Sequence, residues 1–229
     1  VFSQMAAETL HMDISRVHIV TQQDTDVTPF DTGAYASRQS FVTGTAVKEC
    51  AQQLKQKILE YARTLVPGNV DRLELEDGYI LADGKPAISL EDLAMESYYS
   101  LSNSSVLTAE VSRQVKKNTV ASGCCFAEVE VDMKLGKIKV LDIVNVHDSG
   151  ILLNPQLAAM QVHGGMSMGM GCGLSEQLLL DEKTGRPLNG TLLDYKLMTT
   201  MDTPDLTAEF VELNDPMGPY GNKALGEPP

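Results

Sequence analysis

The chain has 229 residues, 43% hydrophobic and 21% charged, which is enough for one large domain or two small ones with a real core. Lys and Arg total 18 against 31 Asp and Glu, and the net charge of −13 excludes the basic footprint that a nucleic-acid partner requires. No run of about 18 apolar residues is present, so no transmembrane helix is encoded.

Along the chain, Ser3 to Leu10 reads as a short helix, with Met5, Ala6, Thr9 and Leu10 at helical spacing. Arg16 to Val20 alternates polar and β-branched residues, the pattern of a strand. Thr21 to Arg38 is rich in Asp, Thr, Gly and Pro and reads as a loop. From Ser40, Val42, Ala46, Cys50, Leu54, Ile58, Tyr61 and Leu65 form an apolar stripe on a long helix that Pro67-Gly68 ends. Such a helix would pack on a sheet.

Leu73 to Ile88 alternates around Asp77-Gly78 and Asp83-Gly84, which predicts a meander of two or three short strands. Ser89 is the expected N-cap of the next helix, with Asp92 three residues on. Phe126 to Val146 predicts two strands joined by Lys134-Leu135-Gly136-Lys137. Ala127, Val129, Val131 and Met133 should share one face of the first, and Ile138, Val140, Asp142 and Val144 one face of the second. Asn154-Pro155 starts a further helix, Asp181 to Gly185 is a hairpin turn, and Ala208 to Leu213 a late strand. The expected fold is α+β, with a boundary near Lys116-Lys117-Asn118 that divides the chain into 1–117 and 118–229.

The four cysteines, Cys50, Cys124, Cys125 and Cys172, match no zinc spacing and are too few for a disulfide framework. They are expected to be buried thiols of a reducing cytoplasm. His11, His18, His147 and His163 lack the helical spacing of a metal site, so no protein-ligated metal is expected.

Three glycine-rich stretches could carry chemistry. In the first, Asp31-Thr32-Gly33-Ala34-Tyr35-Ala36-Ser37-Arg38 runs straight into the long helix. Small residues permit close backbone approach there, and the helix start offers free N–H groups to an anion or polar ring. An ordinary capped loop is the alternative. The second, Gln161-Val162-His163-Gly164-Gly165 through Gly173, places five glycines inside a helical pattern. Each costs about 1 kcal/mol against alanine, so a close helix crossing or a ligand must compensate. Met166, Met168 and Met170 within it read as packing residues. In the third, Gly221 to Pro229, Gly226 frees the backbone before Glu227, and Pro228-Pro229 stiffen the chain beyond it. A rigidly aimed carboxylate suits a general base, although a solvated turn glutamate is the commoner situation.

Together the three stretches resemble the C-terminal, molybdenum-cofactor-binding portion of the molybdenum hydroxylases, the xanthine dehydrogenase and aldehyde oxidase family. Asp24-Thr25-Asp26 through Asp31-Thr32-Gly33-Ala34-Tyr35-Ala36-Ser37-Arg38 is similar to its DT…P…DxGxYxSR pattern. Asn154-Pro155 with Gln161-Val162-His163-Gly164-Gly165 is similar to NP…QVxGG, continuing into Met168-Gly169-Met170-Gly171 and Ser175-Glu176. Lys223-Ala224-Leu225-Gly226-Glu227-Pro228-Pro229 resembles the xanthine dehydrogenase form of the GE motif.

The resemblance implies two intertwined subdomains of mixed sheets and packed helices, and hydroxylation of an N-heterocycle such as xanthine or another purine. A water-derived oxygen enters at carbon, hydride passes to Mo=S, and Glu227 acts as base. Gly33, Tyr35, Ala36, Ser37, Arg38, Gln161, Gly164 and Gly165 would contact a molybdopterin-type cofactor, with Ala36 near the metal. The cofactor would be either nucleotide-free or the cytosine dinucleotide form. No protein side chain would ligate the metal, which molybdopterin holds. The implied partners are the remainder of the molybdopterin subunit and iron–sulfur and FAD subunits or domains in a cytoplasmic hetero-oligomer, with neither nucleic acid nor membrane. Nicotinate or aldehyde hydroxylation, or a non-catalytic α/β assembly module, are the alternatives. The ends at Val1 and Pro229 read as cuts, which implies a piece of a longer polypeptide.

Overall fold

The computed structural model describes every residue except Gln22, Gln23, Val27, Pro29, Asn69, Val115, Lys116, Pro228 and Pro229. The backbone separates into two compact units, Val1–Lys117 and Asn118–Pro229.

The first unit begins with helix α1 (Phe2–Leu10), which ends where His11 turns left-handed. A 3-10 turn at Ile14–Arg16 comes next, capped by the Asp13 carboxylate. The expected strand over Arg16 to Val20 does not form: the described backbone from 17 to 21 belongs to no strand, and Val20 is 86% exposed. β-Branched alternation stabilises a strand only through a paired neighbour, and none lies beside this segment among the described residues.

Helix α2 (Gln39–Leu65) is long and buries Phe41, Gly44, Ala51, Ile58, Tyr61 and Ala62. The expected stripe is met near Ile58 and Tyr61 but not near Val42 and Ala46. Steps of four residues advance about 40° beyond a full turn, so four such steps walk the stripe about 160° round the helix. Gly44, Ala51 and Ile58, seven apart, hold one line instead. Strands β1 (Leu73–Glu76), β2 (Tyr79–Ala82) and β3 (Lys85–Ser89) form an antiparallel meander. Its two turns place Asp77-Gly78 and Asp83-Gly84 at positive φ. Helix α3 (Leu90–Tyr99) starts where the Ser89 hydroxyl accepts the Asp92 N–H. Leu10, Ala51, Ile58, Tyr61, Ala62, Leu73, Leu75, Ile80 and Leu93 make one core, so α2 packs on the meander.

The second unit is a mixed sheet of order β4-β5-β6. β4 (Ser122–Asp132) and β5 (Lys137–Asp148) are antiparallel, while β5 and β6 (Asp205–Phe210) run parallel. Helix α4 (Pro155–Leu174) lies in the connection from β5 to β6, as a parallel pair requires. The Asn154 side chain caps it by accepting the Leu157 N–H at 3.0 Å, and Pro155 holds its first position. Ala158, Val162, Met166 and Met170 are its buried residues at four-residue spacing, and the last three join Ile143 in the core.

The face expected on β5 differs from the one observed. Glu128 pairs with Asp142 but Val129 with Val140, so Leu141 is an extra residue on β5. A bulge of this kind inverts the alternation, and Ile143, Asn145 and His147 become the buried positions rather than Asp142 and Val144. Ala127, Val129 and Val131 stand on β4, an edge strand exposed along its whole length. The thiols also depart: all four are free, yet Cys124, Cys125 and Cys172 are exposed and Cys50 is half-buried. Met168 likewise projects from α4 into solvent, about half a turn round the helix from buried Met166 and Met170. Among the described residues no helix is long and apolar enough to cross a membrane.

Candidate functional site

In the first unit, the loop 31–38 is braced by its own side chains. The Asp31 carboxylate accepts the Gly33 N–H at 2.8 Å, and the Arg38 guanidinium donates to the Thr32 hydroxyl at 3.1 Å. The same guanidinium lies 3.9 Å from the centre of the exposed Tyr35 ring, a cation–π contact. Between these braces the backbone is strained. Ala36 and Ser37 both have φ of +51°, a region that costs non-glycine residues roughly 1–2 kcal/mol each. Consecutive residues persist there only when their surroundings impose it, and such segments concentrate at ligand sites.

Arg38 then takes the N-cap place of α2, and its side chain caps none of the first-turn N–H groups. A left-handed residue followed by one near the right-handed region turns successive N–H groups toward one point. The loop can therefore grip a polar or anionic group with backbone, in a chain that is strongly acidic.

In the second unit, Gln161, Gly164, Gly165 and Met168 fall at positions i, i+3, i+4 and i+7 of α4, on one face beside the buried stripe. Gln161 and Gly164 are exposed, while adjacent Val162 is fully buried. A methyl group built at Gly164, Gly169 or Gly173 would meet no atom within 4 Å. Packing among the described residues therefore accounts for none of these three. Gly171 differs: a methyl there would overlap the Glu176 carboxylate at 2.1 Å. That carboxylate accepts the Tyr195 hydroxyl at 2.8 Å, and this bond, with burial behind it, raises the Tyr195 pKa.

Glu227 is exposed and comes after Gly226, whose φ of +133° only glycine adopts readily. The stiffening expected of Pro228-Pro229 lies outside the described residues. The approach to Glu227 is fixed instead by a knot of backbone that no sequence motif announces. Gly150 and Asn222 form an antiparallel bridge, with Ile151 N–H to Gly221 C=O at 2.9 Å and Lys223 N–H to Ser149 C=O at 2.8 Å. A methyl at Gly150 would sit 2.3 Å from the Gly221 carbonyl oxygen, and one at Gly218 1.7 Å from that of Asn222. Beyond the bridge, Leu225 packs against the Ile143, Val162, Met166 and Met170 core. Within the knot Lys223 Nζ donates to Asp148 Oδ2 at 2.5 Å. Burial pushes the Asp148 carboxyl up, but the Lys223 hydrogen bond and charge and the N–H groups of Gly150 and Leu213 outweigh it, leaving its pKa lowered. His147, buried beside Asp148 on β5, has its pKa lowered by burial alone. The available signal was Asp148-Ser149-Gly150, a turn triplet beside a buried strand, together with the lone basic residue before Glu227.

The family model described as Molybdopterin cofactor-binding domain matches residues 1–204, and the chain belongs to that family. It is 47% identical, over its full length, to the xanthine dehydrogenase molybdenum-binding subunit of Escherichia coli O157:H7, of which it covers 31%. It is 26% identical over 98% of its length to the nicotine 6-hydroxylase large subunit of Paenarthrobacter nicotinovorans, covering 28% of that protein. Among solved structures, quinoline 2-oxidoreductase from Pseudomonas putida 86 superposes with a TM-score of 0.85 at 27% identity, over 99% of this chain and 29% of that one. The chain thus spans about a third of the length of the curated relatives it matches.

The residues present fit a molybdopterin. The helix glycines leave space that no described atom fills, with an exposed amide beside Gly164, which suits a planar ring rich in donors and acceptors. The strained loop and uncapped start of α2 suit its polar and anionic groups.

Proposed function

We propose that this chain is the cofactor-binding part of a molybdenum hydroxylase that oxidises a carbon of an N-heterocycle, purine-like first. The observation that carries the reading is the open glycine face of α4, where about 1 kcal/mol per glycine is given up without compensating contacts among the described residues. When bound, the cofactor supplies the Lewis acid and two-electron acceptor for the hydroxylation. Gln161 orients it by side-chain hydrogen bonds, and Gly164 and Gly165 let it approach the helix. Gly33, Ala36 and Ser37 let the loop backbone approach the cofactor, and Tyr35 and Arg38 hold that loop in shape. Ala36 would be the loop residue nearest the metal.

Glu227 is the base. Its carboxylate takes the proton from the water-derived oxygen as that oxygen attacks carbon, the hydride displaced from that carbon would pass to the cofactor as two-electron acceptor, and the proton then rests on a carboxylate oxygen. The relatives named for xanthine, nicotine and quinoline support a ring carbon beside nitrogen as the target. Xanthine heads the order because that relative is the most similar of the three, and an aldehyde or nicotinate comes behind it. The remaining two thirds of the polypeptide, with iron–sulfur and FAD subunits or domains to carry electrons away, completes the enzyme. That a relative is named as one molybdenum-binding subunit supports a hetero-oligomer. The cofactor is either the nucleotide-free or the cytosine dinucleotide form, and a cytoplasmic location is part of the proposal, for which four free thiols are the support.

The test is Glu227→Gln in the assembled enzyme, assayed with xanthine, hypoxanthine, nicotinate and an aromatic aldehyde. Hydroxylation should fall by at least 10²-fold, the usual lower bound for losing a general base. Molybdenum content should stay at the wild-type level. Retained turnover would remove Glu227 from its role.

A further inference from the structure

The Asp148–Lys223 pair is the most enclosed ion pair among those described, with side chains 13% and 12% exposed, whereas every other pair has at least one partner more than half exposed or both about a third or more. Polar residues close to it in sequence, Asn145, His147, Ser149 and Asn222, are buried as well. Buried charge is a poor way to gain stability, because well-packed apolar residues often do as well or better. What the pair fastens is therefore more informative than what it adds to stability.

The geometry here concerns one segment. Tyr220 and Gly221 both adopt positive φ, +58° and +82°, so the chain reverses sharply just before the bridge to Gly150. Lys223 is the first residue past that bridge and Glu227 lies four residues on. Its ammonium ties the emerging strand to Asp148, whose other oxygen accepts the Gly150 N–H at 3.1 Å. One carboxylate therefore holds both sides of the bridge. Ala224 N–H donates to the Thr119 hydroxyl at 3.3 Å, and Leu225 enters the core. From Lys223 to Leu225 each residue is fastened, and only Gly226 separates this fastened run from the carboxylate.

We propose that Asp148 and Lys223 are positioning residues that fix where the Glu227 carboxylate stands, an inference that rests on Glu227 being the base. The pair does not touch substrate. It sets the backbone from which Glu227 projects, and a displacement of about 1 Å in a catalytic group can cost on the order of 10²-fold in rate.

The experiment uses the complete enzyme with its partner subunits. The double variant Asp148→Asn/Lys223→Met removes both charges, so neither is left buried alone. Lys223→Arg keeps the charge, and Glu227→Gln is measured in parallel. The double variant should retain molybdenum, show faster hydrogen exchange at the amides of Ile151 and Lys223, and lose about 100-fold in kcat with little change in KM. Lys223→Arg should restore most of kcat and the slow exchange. Wild-type kcat in the double variant beside an inactive Glu227→Gln enzyme overturns the positioning and leaves the base intact. Turnover retained by Glu227→Gln overturns the base instead, whatever the double variant does. If the double variant does not accumulate, Lys223→Arg and Asp148→Asn singly decide: equal loss of kcat in both, with unchanged exchange, overturns the inference.

Discussion

Replacing Gly164 by alanine separates a helix shaped for a ligand from one shaped by packing. The substitution adds one methyl group where no atom lies within 4 Å. Gly164 is not at positive φ, so the added methyl carries no backbone strain. Alanine is favoured over glycine in a helix interior by about 1 kcal/mol, so the cofactor-free subunit should become more stable by roughly that amount. For a chain of 229 residues that is a rise in Tm of about 2–4 °C. The bound cofactor meets the opposite consequence, because a methyl intruding on a fitted contact costs about 1–3 kcal/mol, on the order of tenfold or more in affinity. The assays are urea unfolding of the cofactor-free subunit and molybdenum content of the purified complex. Higher stability with depleted molybdenum is the expected pair of results. A cofactor-free subunit destabilised by Gly164→Ala would refute the reasoning, since polypeptide outside this chain, and not cofactor, would then occupy the glycine face.

Gly150→Ala should behave in the reverse way. Its φ of +69° and the 2.3 Å overlap with the Gly221 carbonyl oxygen leave the methyl no room, and several kcal/mol of stability should be lost. Gly84→Ala, at φ of +77° with nothing near, should cost only about 1–2 kcal/mol in the same denaturation assay. Equal losses would deny the close approach at Gly150. His147 gives a pH dependence. Burial lowers its folded pKa below the unfolded value of about 6.5, so the unfolded chain takes up a proton first as pH falls. Stability from this residue is present above about 6.5 and drains away below it, until the folded pKa is reached. His147→Leu should flatten the unfolding midpoint between pH 7.5 and 5.5; a slope unchanged from wild type would count against it.

How much was legible in sequence depended on the range of the interaction. Local signals carried through: Asn154-Pro155 starts α4, Ser89 caps α3, and Asp77-Gly78 and Asp83-Gly84 turn the meander. Long-range ones did not. Leu141 bulges because of its pairing with β4, and no alternation in β5 reveals it. Arg16 to Val20 has the composition of a strand and no neighbour to pair with among the described residues. Exposure of three cysteines arises from β4 lying at a sheet edge and from the turn of α4, neither of which cysteine spacing encodes.

The site shows the same division. Its glycines were conspicuous because each breaks a propensity rule, and broken rules without local compensation mark function. The strain at Ala36 and Ser37 was hidden, since neither residue type announces a left-handed backbone. Asp148 and Lys223 were hidden for a further reason, being 75 residues apart in a chain with many charges.

Hydrogen exchange of the whole subunit with and without cofactor tests most directly whether α4 and the loop before α2 are each covered by it. Cofactor should slow exchange at Gly164 and Gly165 and at the amides from Ala36 to Ser40, with little effect on the meander Leu73–Ser89. Equal exchange at those amides in both states, in a subunit whose molybdenum content confirms loading, would contradict that coverage.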